Sequence, residues 1–345
     1  MQSIVCLFRT AKRANYAAAL VAVLWTGAYA APAAYVSNLV TGTISVIDTE
    51  TNAVLTTLQI GPYNGAIAVS PSGGQAFMLN GHIDGSNEVV VIDTATNAAS
   101  GNAISLSGTW NSLASNLRGD RVYVTEGTSD TPGSHVFVLD TIARTQITSI
   151  TVGSNPLGVI VSPSGQRIYV ANNNDGSVSI IDAATNTVDG LPITVSGHPR
   201  ALALSPNGAR LYATNSNNKV YVIDTVARNV LTSVAVNSPL GIAIDPSGAR
   251  AYVADSADGA IVVIDMATNL VVGSPITVGS GPLAVAVNTT GTRVFVCNFA
   301  GTTVSAIDTV TNMVIGDPIP VGSTPGYYGV FIASGAIFAD GFDSL

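Results

Sequence analysis

Apolar and polar positions alternate in short bursts along most of this chain, and the bursts come in sets of four. One set reads Leu157 to Val161, Ile168 to Ala171, Val178 to Ile181 and a last run ending near Val195. Pro163-Ser164-Gly165, an Asn/Asp/Gly loop and Asp182 to Asn186 part these runs. They are rich in Val, Ile and Tyr and too short for helices, so they predict strands. Turn residues this close together join neighbours by hairpins, which makes each set a four-stranded antiparallel sheet.

The set repeats. The pattern of residues 169–188, YVANNNDGSVSIIDAATNTV, returns in seven copies whose first aromatic falls at Tyr35, Phe77, Tyr123, Tyr169, Tyr212, Tyr252 and Phe295. Its aspartate falls at Asp48, Asp93, Asp140, Asp182, Asp224, Asp265 and Asp308, at spacings of 45, 47, 42, 42, 41 and 43. A solenoid would stack such sheets in a row, whereas a β-propeller sets them around a channel. The ends favour the ring. The first copy opens on the second-strand motif Ala34-Tyr35-Val36 and lacks an innermost strand. Beyond the seventh copy, Pro325-Gly326-Tyr327-Tyr328-Gly329-Val330-Phe331-Ile332 repeats the first-strand pattern of Pro156 to Val161. Pairing Gly329 to Ala333 with the first copy closes the ring and removes its open edge. The sequence therefore predicts an all-β, seven-bladed β-propeller over residues 31–335, followed by a tail at 336–345.

The strings YVSN, YVAN, YATN, YVAD and VCN, followed by strands of the VSVID type and D-T-x-T-N turns, resemble the YVTN β-propeller repeat family over about residues 33–335. The resemblance implies a seven-bladed propeller that is exported or held at the cell surface. It implies no single activity, because the architecture serves binding proteins, lactonases, lyases and the propeller subunits of redox enzymes.

The segment ahead of the first copy agrees with export. Arg9, Lys12 and Arg13 precede an apolar stretch from Tyr16 to Thr26, and Ala28-Tyr29-Ala30 has the A-x-A form of a cleavage site. Residues 1–30 thus read as a Sec signal peptide. A membrane anchor is the competing reading, but the stretch falls short of the roughly 20 apolar residues that span a bilayer, as does every later segment. The chain is 47% hydrophobic and 10% charged, which excludes a disordered tail. Its 21 acids against 13 bases give a net charge of −8, and removing the leader's three bases takes it to −11. That balance speaks against binding nucleic acids or anionic membranes through bulk charge. Cys6 leaves with the leader, so Cys297 remains alone, without a disulfide, and reads as a small buried hydrophobe in a strand.

Residues that recur in every blade belong to the scaffold. The seven aspartates suit Asx-turns that start the hairpin into strand four. Arg121, Arg167, Arg210, Arg250 and Arg293 each stand two residues before the aromatic, one per blade, and cannot form a continuous basic patch. Turns such as Ser162-Pro163-Ser164-Gly165 open no helix and carry no P-loop lysine. Asn172-Asn173-Asn174-Asp175-Gly176 lacks the spaced acids and terminal Glu of an EF-hand.

Function on a repeat scaffold sits where the copies differ. From aromatic to aspartate the copies measure 13, 16, 17, 13, 12, 13 and 13 residues, so blades two and three carry longer loops between strands two and three, at 80–88 and 126–135. Those loops hold His82, Glu88, Glu126 and His135. They open on the same face as the segments leading into strand one, where Tyr63, Trp110, His198 and Arg200 break the pattern of Asn155-Pro156-Leu157. The eight residues are candidates for a ligand pocket or a cation site. A divalent metal there would suit a lactonase- or lyase-type enzyme, although no H-x-H or H-x-x-E spacing is present. There is no G-x-S-x-G elbow and no C-x-x-C-H haem motif. No catalytic residues are therefore assigned and no cofactor is expected. The chain reads as a monomeric binding module for a small molecule, a glycan or a protein. Single-stranded nucleic acid would need stacking on Tyr63, Trp110, Tyr327 and Tyr328 beside Arg200, against the chain's charge.

Overall fold

The computed structural model describes residues 32–61, 64–81, 86–127 and 132–326, and all the regular elements among them are strands. Seven antiparallel sheets follow one another and form the ring of a seven-bladed propeller. Blade four shows the plan: Pro156–Val161 innermost, then Arg167–Asn172, Ser177–Asp182 and an outer strand. Blade one contributes Ala33–Asn38, Thr43–Asp48 and Val54–Gln59.

The outer strand is simpler in the sequence than in the structure. It is continuous in blades one, three and five, but splits into two short ladders in blades two, four, six and seven, as at Thr187–Val188 and Ile193–Thr194. The split blades carry one residue more between the aspartate and the valine or leucine that ends the run, with a glycine at the extra position. Gly190, at φ 78°, adopts the left-handed conformation of a bulge, and Pro192 just after it cannot donate to the ladder.

The core lies between blades rather than within them. Phe77, Leu79, Val89 and Val91 of blade two pack on Leu113, Val122, Val124 and Leu139 of blade three, and the same stacking recurs around the ring. One cluster joins Phe295, Cys297 and Val304 of blade seven to Ala34, Tyr35 and Ile44 of blade one and on to Ile67 and Met78 of blade two. Cys297 is fully buried there. Arg293 ties the same seam at the rim, donating to the carbonyls of Thr49 (2.8 Å) and Glu50 and to Asn52 Oδ1 (3.2 Å).

The expected closing strand, Gly329 to Ala333, and the tail lie outside the described residues. The segment just before them already docks on blade one, with Pro325 bridging to Asn38 and the Gly326 N–H donating to the Ser37 carbonyl at 2.8 Å.

The repeated aspartates are turn residues. Asp182 Oδ1 accepts from the N–H groups of Ala184 (3.0 Å) and Thr185 (2.9 Å) and from the Thr185 hydroxyl (3.0 Å), and Asp265 and Asp308 do the same. These bonds hold their carboxyls below the ordinary range. Four residues on, the chain must turn left-handed. Asn fills that position at 52, 97, 186, 269 and 312, but Arg144 (φ 59°) and Arg228 (φ 55°) fill it in blades three and five. Asn97 also accepts the hydroxyl of Tyr35 from blade one at 2.7 Å, which links neighbouring blades.

Candidate functional site

Three residues after the aromatic, at or one before the end of the second strand, stands a repeated position: Asn38, Asn80, Glu126, Asn172, Asn215, Asp255 and Asn298. The five asparagines are fully buried. The residue five before the turn aspartate, Thr43, Glu88, His135, Ser177, Lys219, Ala260 and Thr303, stands opposite this position in six blades, and in blade three the ladder register shifts at Glu126. In blades one, four and seven the pair is neutral and structural. Asn172 Nδ2 donates to the hydroxyls of Ser177 and Ser179, both at 2.9 Å, and Asn38 and Asn298 repeat the arrangement. The buried amide N–H groups are thereby satisfied by the hydroxyls of the adjacent strand.

Blade three replaces that pair with ionisable groups. His135 Nδ1 lies 2.7 Å from Glu126 Oε2, and the Ser134 N–H donates to the same oxygen at 3.2 Å. The side chains are 38% and 26% exposed, so the Glu126 carboxylate reaches solvent where the asparagines at its position are fully buried. Burial pushes the Glu126 carboxyl up, but the bonds from His135 and Ser134 outweigh it and leave the group below its ordinary value. Trp110 stands across the ladder from Glu126, its indole packed on the core between blades two and three and its buried Nε1 without a hydrogen bond.

Among the described residues, the strands of blades two and three run on into the long excursions. The second strand of blade three runs Arg121–Gly127 and the third Pro132–Asp140, with Gly127 paired to Pro132. In blade two Gln75–Gly81 pairs with Asn87–Asp93 up to Gly81 and Asn87. Backbone groups that a loop would leave to water are satisfied by extending the ladder. Glu88, Glu126 and His135 are therefore held on strands.

The other candidates are dispersed. Glu88 is turned to Asn80, whose Nδ2 donates to its Oε1 at 3.1 Å. His198 Nδ1 lies 2.8 Å from the Asn173 carbonyl and Asn173 Nδ2 donates to the Pro199 carbonyl at 3.0 Å, a clamp between blades four and five. Arg200 lies in the innermost strand of blade five, Pro199–Leu204. His82 and Tyr63 lie outside the described residues. Among the described residues the structure thus joins Glu126, His135 and Trp110 and leaves His198 and Arg200 two blades away. No group of three His, Cys, Asp or Glu side chains able to hold a metal stands among them either.

Two acids escaped sequence reasoning. Asp255 occupies the asparagine position in blade six, where burial raises its carboxyl above the ordinary range and the neighbouring Asp258 carboxylate adds to the effect. Alignment of the copies at that position exposes it. Asp245 lies at the other end of the channel, beside a cavity of about 340 Å³. No helix among the described residues is long and apolar enough to cross a membrane.

No family model matches the chain, and a search of curated proteins gives no match. Solved structures do share its fold. Hydrazine synthase of Kuenenia stuttgartiensis is similar over 76% of this chain and 87% of its own, at 19% identity and a TM-score of 0.65. A functionally unknown protein from Desulfotomaculum acetoxidans DSM 771 is similar over 87% of this chain and 99% of its own, at 15% identity and a TM-score of 0.72. The dihydro-heme d1 dehydrogenase NirN, in complex with DHE, is similar over 86% and 75%, at 14% identity and a TM-score of 0.63. At such identities the likeness is one of fold, and a propeller that hosts enzymes leaves catalysis open.

Proposed function

We propose that this chain is an exported binding module whose ligand rests on the rim of blade three, against Glu126, His135 and Trp110. One observation carries the reading: the position that holds a buried asparagine bonded to neutral hydroxyls in blades one, four and seven holds a partly exposed carboxylate–imidazole pair in blade three. The scaffold does not require that substitution. The leader at 1–30 and the resemblance of the repeats to YVTN propellers support export to the periplasm or the cell surface. With Nδ1 engaged by Glu126, the imidazole offers Nε2 to a ligand, and the indole beside it offers an apolar face. Hydroxyls above a flat apolar surface describe a sugar ring, so a glycan is the ligand class we favour. Saturation-transfer NMR with a panel of mono- and disaccharides tests it. Transfer to at least one sugar, lost in His135→Ala, supports the reading; no transfer, or transfer that survives the substitution, overturns it.

A second reading rests on the same pair, since a carboxylate that orients an imidazole is also the arrangement of a general base. Hydrolysis of lactones or cyclic esters, with and without added divalent metal, that is abolished by His135→Ala would favour it.

A further inference from the structure

At the opposite end of the ring from Glu126 and His135, the innermost strands enclose a cavity of about 340 Å³, within the range of small-ligand pockets. Its inner limit follows from residue size. The third position of these strands is small in every described blade (Ala66, Ser112, Gly158, Ala201, Gly241 and Ala284), and a Cβ on Gly158 or Gly241 would run into the backbone of the adjacent blade. Its outer limit is the ring of turns between strands one and two, marked by Pro71, Pro163, Pro206 and Pro246. The walls between are aliphatic, with Leu113, Val159, Leu202, Ile242 and Val285 among them.

One described lining residue is charged. Asp245 sits at the mouth beside Pro246 and is 9% exposed. Its Oδ1 accepts from the Ser247 hydroxyl and the Ala249 N–H, both at 2.9 Å, whereas Oδ2 bonds to no described residue. The turn does not need the charge. The equivalent Ser70, Asn116, Ser162, Ser205 and Asn288 each accept a backbone N–H from the start of strand two through a neutral oxygen. A largely desolvated carboxylate with a free oxygen at the mouth of an apolar chamber has unmet electrostatic demand that a cation answers.

We infer that the channel binds a primary alkylammonium ion, its head on Asp245 Oδ2 and its hydrocarbon chain among the aliphatic walls towards the neck. The site is separate from the blade-three rim and does not depend on it. Isothermal titration of the full chain with hexylammonium, hexanol and hexanoate reads the claim directly. Hexylammonium should bind saturably at one site, hexanol about tenfold or more weakly, and hexanoate not measurably. Butylammonium should lose about fourfold per methylene removed. Asp245→Asn, a residue the turns at Asn116 and Asn288 already use, should fold and melt like the parent yet bind hexylammonium no better than hexanol. His135→Ala should leave hexylammonium binding unchanged. Equal affinity for all three ligands, no saturable binding of hexylammonium, or an Asp245→Asn variant that retains it would overturn the inference.

Discussion

At the scale of the residue, recurrence separated scaffold from candidate chemistry. The seven turn aspartates were legible because one residue type returned at one offset, and the Asx geometry needs only local chain. The pairing of Glu126 with His135 was not legible, since it depends on the register of two strands and on how far the ladder extends past Thr125. Two outcomes belong here. The Tyr35 hydroxyl is pushed up to about 12 by burial, with the Asp93 carboxylate adding to it. An unfolded tyrosine ionises near about 10. The folded chain therefore keeps a proton that the unfolded chain has lost between about pH 10 and 12, and the stability present below that window is lost as pH rises through it. Chemical denaturation followed between these pH values should show the midpoint falling, and Tyr35→Phe should flatten that fall. Arg144 occupies a left-handed position at φ 59° where five other blades use Asn. Arg144→Asn should gain up to about 1 kcal/mol and raise Tm by about 2 °C.

At the scale of the element, the count and order of strands followed from apolar runs and turn residues, but the split of four outer strands did not. The sequence reading placed one run up to Val195. The extra residue that turns it into two ladders shows only when the copies are aligned on both the aspartate and the final apolar residue. Gly273 holds the corresponding bulge in blade six at φ 68°, with open space where a Cβ would stand. Gly273→Ala should therefore cost about 1 to 2 kcal/mol from backbone strain alone, and Gly273→Asn distinctly less. Equal melting temperatures for the two variants would show that the bulge relaxes instead.

At the scale of the whole molecule, the seven-bladed ring was legible in the seven copies of the repeat, whereas the expected closing strand, Gly329 to Ala333, lies outside the described residues. The seam between blades seven and one is packed and bonded through Phe295, Cys297, Arg293 and Gly326. The sequence expectation that Gly329 to Ala333 pairs with Ala33–Asn38 predicts that truncation before Tyr327 removes most of the roughly 5 to 15 kcal/mol that holds a domain folded. Removal of 340–345 should leave Tm near the parent. The ring itself states no function, and the candidate rim emerges where blade three departs from the neutral pair of blades one, four and seven. The double variant Glu126→Asn, His135→Thr tests that claim most directly, because it restores in blade three the pair that blades one and seven use. Thermal melting and saturation transfer should be measured together on it. The account requires a Tm at or above the parent's with sugar transfer abolished; a Tm lowered by several degrees with transfer intact would show that the pair holds the blade together and that the ligand binds elsewhere.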